Sequence, residues 1–137
     1  MNETVSQPND APTAAPPITV IYVEDNPAIL ESTSMLLELE GFFVKSAADR
    51  AAALAHLSAG VVPDIIVADY DLAKSDDGVQ VIDCIRKTLG EALPAIIITG
   101  DTTLLSVSGS LPNRAELIRK PPERGELAAA IRALAGT

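Results

Sequence analysis

Five short apolar runs, each of the length of a buried strand, are spaced along the chain. They are residues 18–23, 42–46, 65–69, 95–99 and 117–119. Most of them are nearly continuous and lack the alternation of polar and apolar residues that marks a strand with one exposed face. Such runs are typical of strands buried on both faces. The pattern therefore predicts a parallel sheet whose two faces are both covered.

The segments between these runs carry helical spacing. Asn26, Asp49 and Asp77 each precede such a segment and belong to the residue types that cap helix N-termini. Residues 102–113 are weaker, because their Ser, Gly and Pro disfavour a helix, so we expect any helix there to be short or frayed. Strands that alternate with helices predict an α/β fold, a doubly wound, five-stranded parallel sheet in a single domain.

Composition divides the chain into a tail and a domain. Residues 1–17 are rich in Pro and Ala without periodicity, which indicates a flexible linker or tail, and residues 18–137 form the predicted domain. No apolar run approaches the roughly 20 residues that span a bilayer, and the N-terminus lacks a secretory signal. We therefore expect a cytoplasmic domain without membrane contact. The single cysteine, Cys84, excludes an internal disulfide.

The chain is acidic, with a net charge of −9. Domains that bind DNA or RNA usually carry a basic stripe, so this charge argues against nucleic acid as a partner. Solubility alone explains an acidic balance. The charge also fits a protein that gathers carboxylates around a cation.

Chemically useful side chains follow the predicted strands. The first strand ends in Glu24 and Asp25, the third in Asp69 and the fourth in Thr99, and Lys120 follows the fifth. Taken singly, each is explained by capping, backbone hydrogen bonding or a solvated surface. Because carboxyl ends of parallel strands share one edge, which is where ligands bind, we expect these groups to converge. Clustered carboxylates stay ionised together if a cation compensates them, and oxygen ligands suit Mg²⁺.

Four stretches resemble the motifs of a two-component response regulator receiver domain. They are VIYVEDNP, PDIIVADYDL, IIITGD and IRKPP, and the resemblance extends from about residue 18 to residue 135. The spacings of 44 residues from Asp25 to Asp69 and 30 from Asp69 to Thr99 also agree with that family. The 21 residues from Thr99 to Lys120, by contrast, are about one residue fewer than it leads us to expect. The resemblance implies a flavodoxin-like strand order, 2-1-3-4-5.

The resemblance also implies a role for each residue at the strand ends. Asp69 would accept a phosphoryl group from a phosphohistidine of a histidine kinase or a histidine phosphotransfer protein. Asp25, Asp69 and the backbone carbonyl of Asp71 would ligate Mg²⁺, with Glu24 acting through a bound water. Lys120 would contact the phosphoryl oxygens. The domain would be an enzyme only in catalysing its own phosphorylation and dephosphorylation.

Three further expectations follow from the resemblance. Thr99 would hydrogen-bond the phosphoryl group after transfer, and Gly100 would leave room for the donor. The peptide between Lys120 and Pro121 would be cis, which turns the lysine into the pocket.

Leu117 departs from the pattern of many receivers. They carry Tyr or Phe three residues before the lysine, so a switch based on a moving aromatic ring is not available here. Leucine at this position resembles the receivers of hybrid sensor histidine kinases, and the Pro/Ala-rich tail fits a linker in such a protein.

Two other functions stay open, and the oligomeric state is not predicted. A pseudo-receiver would act by protein contact without phosphorylation, although the complete set of site residues counts against it. A flavodoxin-like enzyme or nucleotide binder is disfavoured because no glycine-rich phosphate loop follows the first strand.

Overall fold

The computed structural model describes residues 16–72, 77–100 and 114–136. Its strands are β1 Thr19–Val23, β2 Phe43–Ala47, β3 Ile65–Asp69, β4 Ala95–Thr99 and β5 Ala115–Arg119. Its helices are α1 Pro27–Leu39, α2 Arg50–Ser58, α3 Gly78–Leu89 and α4 Glu126–Ala135. Most of the predicted tail and all of the weak segment 102–113 lie outside the described residues. No described helix has the length and apolar character needed to cross a membrane.

The five strands form one sheet in the order β2-β1-β3-β4-β5. All four neighbouring pairs are parallel. Both the predicted fold class and the predicted strand order are therefore confirmed. The order reverses direction next to β1, so the ends of β1 and β3 meet at the switch point where ligands bind in such sheets.

Three strands differ from their predicted bounds: the first begins at Thr19 instead of residue 18, the second is shifted by one residue to Phe43–Ala47, and the fifth is longer. The second strand begins at Phe43 instead of residue 42, because the amide of Phe42 donates to the carbonyl of Leu37 and closes the end of α1. The fifth strand begins at Ala115, two residues earlier than predicted, because Ala115 pairs with Ala95 at the start of β4. The pairing of Ala115 with Ala95 is a long-range contact that a local pattern does not contain.

The predicted caps hold the helix starts. Asn26 accepts hydrogen bonds from the amides of Ala28 and Ile29 at 3.0 and 3.1 Å. Asp49 accepts one from the amide of Ala52 at 2.9 Å. Each cap pairs amides that the first turn of a helix leaves without a partner, and so fixes where the helix begins after its strand.

Apolar side chains fill two layers, one on each face of the sheet. One layer packs α1 and α4 on the sheet and contains Val20, Tyr22, Leu37, Val67, Ile96, Leu127 and Ile131. The other packs α2 and α3 on it and contains Ile21, Ala53, Ile66, Val81, Ile82, Ile85 and Ile97. Every residue of β3 and β4 is buried. The strand ends that carry the polar residues therefore project from a rigid frame.

Candidate functional site

Strand register places Glu24 beside Asp69. Val23 of β1 pairs with Ala68 of β3, so the residues that follow them, Glu24 and Asp69, lie at the same level. Glu24 and Asp69 are each 2% exposed, and Asp25 is half-buried. Carboxylate oxygens from these three residues lie within 4.8 Å of one another. The predicted convergence of three carboxylates is thus present in the structure.

The pocket is strongly negative. Burial raises the pKa of Glu24; the Asn26 amide, which donates to Glu24 Oε2 at 3.1 Å, opposes this, and the charge of Asp69 adds to it. Burial also raises the pKa of Tyr22 to about 12, helped by the charges of Glu24 and Asp69 and opposed by a hydrogen bond with Thr33. Burial is the main cause of both shifts, and the negative charges of neighbouring carboxylates add to it.

Lys120 brings a positive charge into this pocket. Its Nζ lies 2.7 Å from Asp69 Oδ1 and 4.0 Å from Glu24 Oε1. Burial alone would lower the pKa of Lys120, but the hydrogen bond and charge of Asp69, together with the charges of Glu24 and Asp71, outweigh burial and leave that pKa raised. The peptide between Lys120 and Pro121 is cis, as predicted. The ammonium group is therefore charged and held against the carboxylate of Asp69.

The other predicted residues lie around this centre. Thr99 is fully buried at the end of β4, and its carbonyl accepts the amide of Lys120 at 2.8 Å. Asp71 is exposed, and its backbone amide approaches Asp69 Oδ1 at 3.4 Å. A Cβ atom at Gly100 would meet nothing within 4 Å among the described residues. The edge of the sheet thus brings together every residue predicted from the strand ends.

The donor set fits a hard divalent cation such as Mg²⁺. Glu24, Asp25 and Asp69 offer only oxygen, and Mg²⁺ is held by one or two carboxylates together with waters and phosphate oxygens. Lys120 places one positive charge against three carboxylates, which leaves the cluster undercompensated. A divalent ion would remove this imbalance.

Gly78 is a residue of the site that the sequence analysis missed. It is buried at the start of α3, and its amide donates to the carbonyl of Tyr70 at 3.1 Å, directly after Asp69. Its only sequence signal is a glycine after the helix cap Asp77, which does not reveal that this helix end touches the backbone at the end of β3.

Comparison with known sequences gives one consistent family. The profile of the response regulator receiver domain matches residues 20–132. The response regulator MprA of Mycobacterium sp. (strain KMS) is 33% identical over 119 residues, which cover 86% of this chain and 50% of MprA. The transcriptional regulatory protein TrcR of Mycobacterium tuberculosis is 31% identical over 119 residues, which cover 86% of this chain and 45% of TrcR. The chain spans about half the length of these curated relatives.

Solved structures show the same architecture. A response regulator receiver protein from Sinorhizobium medicae matches with a TM-score of 0.76 at 25% identity, over 88% of this chain and 96% of that one. A CheY-like receiver domain protein from Methanospirillum hungatei matches with a TM-score of 0.71 at 24% identity, over 88% and 94% of the two chains. The fold seen here is shared by both.

Proposed function

The chain belongs to the response regulator receiver domain family, and on that premise we propose that Asp69 is the phosphoacceptor of a two-component phosphorelay. The observation that carries the proposal is the buried carboxylate of Asp69, with an ammonium group at 2.7 Å and two further carboxylates within 4.8 Å. The proposed donor is a phosphohistidine of a histidine kinase or a histidine phosphotransfer protein, and the proposed compartment is the cytoplasm.

Transfer at this site needs an oxygen nucleophile, and it needs positively charged groups next to the negative phosphoryl oxygens. A carboxylate oxygen of Asp69 forms a bond to phosphorus while the bond to the donor nitrogen breaks. The donor ring, protonated on its other nitrogen, leaves as neutral imidazole, and Asp69 becomes an acyl phosphate. Asp25, Asp69 and the carbonyl of Asp71 would hold Mg²⁺ directly, and Glu24 through water. The ion would supply charge that neutralises the phosphoryl oxygens.

Lys120 and Thr99 act on the transferred group. The ammonium of Lys120 pairs with Asp69 Oδ1 at 2.7 Å, so it is placed to donate to a phosphoryl oxygen once Asp69 is modified. The hydroxyl of Thr99, at the end of the neighbouring strand, would donate to a second phosphoryl oxygen. Gly100 leaves space for the approach of the donor.

Leu117 bears on how the phosphorylated state would be read. It is half-buried in β5 and packs against the core layer under α2 and α3. The aromatic switch of many receivers has no counterpart at this position. We propose that the chain is a receiver of the kind found in hybrid histidine kinases, in which contacts other than an aromatic switch couple phosphorylation to output.

Incubation with acetyl phosphate tests the proposal directly. We expect intact-mass measurement to show a single phosphoryl adduct that forms with Mg²⁺ and not with EDTA. Hydroxylamine should remove the adduct, because it cleaves acyl phosphates and leaves phosphate esters of serine or threonine intact. A protein that stays unmodified at saturating Mg²⁺ would instead be a pseudo-receiver that acts through protein contact alone.

Lys120→Ala is expected to slow adduct formation by about 10²-fold or more, because it removes the protein donor that neutralises the phosphoryl oxygens. Binding of Mg²⁺ should persist or tighten, since the ammonium no longer competes for Asp69 at 2.7 Å. The measurements are the rate of adduct formation and a Mg²⁺ titration. Lys87→Ala, on the exposed side of α3, is the matched control and should match the wild type. An unchanged rate in Lys120→Ala would remove the role assigned to the lysine.

A further inference from the structure

Gly78, in the first turn of α3, lies against the peptide that follows the proposed phosphoacceptor. A Cβ atom at Gly78 would lie 2.6 Å from the backbone oxygen of Asp69 and 3.1 Å from the Cα of Tyr70. Both are backbone atoms, which cannot swing aside as the end of a long side chain can. Glycine is the residue that permits such a close approach of two backbones. Any side chain here must displace either the helix or the peptide of Asp69.

The helix side of this contact is firmly held. The carboxylate of Asp77 accepts the amide of Gln80 at 2.9 Å, and Oε1 of Gln80 accepts the amide of Asp77 at 2.8 Å, which forms a capping box. Val81 and Ile82, in the next turn, are completely buried in the core. Because the helix start is anchored in both ways, crowding at Gly78 would fall mainly on the peptide between Asp69 and Tyr70.

That peptide sets the path of the segment after β3. The amides of Gly78 and Leu72 both donate to the carbonyl of Tyr70, at 3.1 and 3.2 Å. Between them, the amide of Asp71 points back to Asp69 Oδ1 at 3.4 Å. A shift of this peptide would therefore move the Asp69 carboxylate relative to the backbone of Asp71.

We propose that Gly78 is a positioning residue for the Mg²⁺ site, which sets the Asp71 carbonyl and the Asp69 carboxylate at the separation that one ion requires. This inference rests on the proposed function, because it assumes that these two groups are ligands. Mg²⁺ demands nearly octahedral geometry and short bonds, so a small displacement between two ligands weakens binding. Gly78 touches no ligand through a side chain and acts only through the space that it leaves.

Gly78→Ala is expected to raise the Kd for Mg²⁺ by about 10-fold or more, as loss of outer contacts at metal sites typically does. Adduct formation from acetyl phosphate should slow at low Mg²⁺ and recover at saturating Mg²⁺, since the nucleophile and Lys120 remain. Tyrosine emission can follow the titration, because the chain has no tryptophan and its two tyrosines, Tyr22 and Tyr70, flank the site.

Gly60→Ala is the matched control. Gly60 has φ +98° and nothing lies within 4 Å of an added Cβ, so alanine there strains a turn after α2 without crowding the site. This variant should lose thermal stability and keep the wild-type Kd for Mg²⁺. A merely structural role of Gly78 would make the two variants behave alike.

The outcomes separate the inference from the proposed function. A folded Gly78→Ala protein with the wild-type Kd overturns the inference and leaves the proposed function intact, whereas a wild type without any response to Mg²⁺ overturns both.

If Gly78→Ala does not fold, hydrogen exchange in the wild-type protein tests the inference instead. The amides of Gly78 and Leu72 should exchange about 10-fold more slowly with saturating Mg²⁺, because ion binding beside Asp69 would stabilise their hydrogen bonds to the carbonyl of Tyr70. Equal exchange rates would overturn the inference.

Discussion

Asp69→Asn is expected to abolish the phosphoryl adduct at any Mg²⁺ concentration. Asparagine keeps the size of the side chain in a pocket where Asp69 is 2% exposed, so the fold should survive. The neutral amide, however, is not a nucleophile toward phosphorus, and removal of a nucleophile lowers the rate by roughly 10³-fold or more. The variant should also bind Mg²⁺ more weakly, because one of the three clustered carboxylates is lost.

The measurement is intact mass after incubation with acetyl phosphate, beside circular dichroism to confirm folding. Asp83→Asn makes the same chemical change on the exposed surface of α3 and should be modified like the wild type. An adduct that persists in Asp69→Asn would contradict the assignment and direct attention to Asp25 or Asp71. Peptide mapping of that adduct would then locate the true acceptor.

The site could be predicted because its residues lie at strand ends. Once apolar runs indicate parallel strands, topology alone brings Glu24, Asp69 and Thr99 to one edge. Their separation along the chain does not matter, because neighbouring strands are held in a fixed register. Lys120 follows the same logic, since its strand pairs with β4 up to the residue before it. The prediction therefore needed only the pattern and the direction of the strands.

The supporting contacts could not be predicted in this way. The closeness of Gly78 to Asp69 depends on how deeply the start of α3 packs on β3, and residue spacing carries no information on that depth. The same holds for Arg86, which lies in a helical pattern among charged residues and looks like a solvated side chain. In the structure only 5% of Arg86 is exposed. Its partner is a backbone carbonyl, which has no sequence signature.

Arg86 is expected to be the polar residue whose loss most destabilises the fold. Its Nε and Nη2 both donate to the carbonyl of Leu93, at 2.9 and 2.6 Å, and tie the end of α3 to the segment before β4. Burial lowers the pKa of Arg86, and the charge of Glu91 opposes this. The guanidinium is therefore kept in a buried place by specific hydrogen bonds, where its removal would leave the Leu93 carbonyl without these partners.

Arg86→Ala should lower the free energy of unfolding by about 2–3 kcal/mol, from the loss of charged hydrogen bonds and of packing by the side-chain stem. For a domain of this size that corresponds to a fall in Tm of roughly 10 °C. Arg86→Met keeps most of the stem and isolates the hydrogen bonds, and Lys87→Ala on the exposed neighbour should stay within about 0.5 kcal/mol of the wild type. Urea unfolding gives the free energy of unfolding of all three variants.

Leu93 precedes β4, whereas Asp69 lies at the far end of the neighbouring strand β3. Mg²⁺ affinity should therefore not change in the folded variants. Wild-type stability in both Arg86 variants would show that these hydrogen bonds contribute nothing net to the fold.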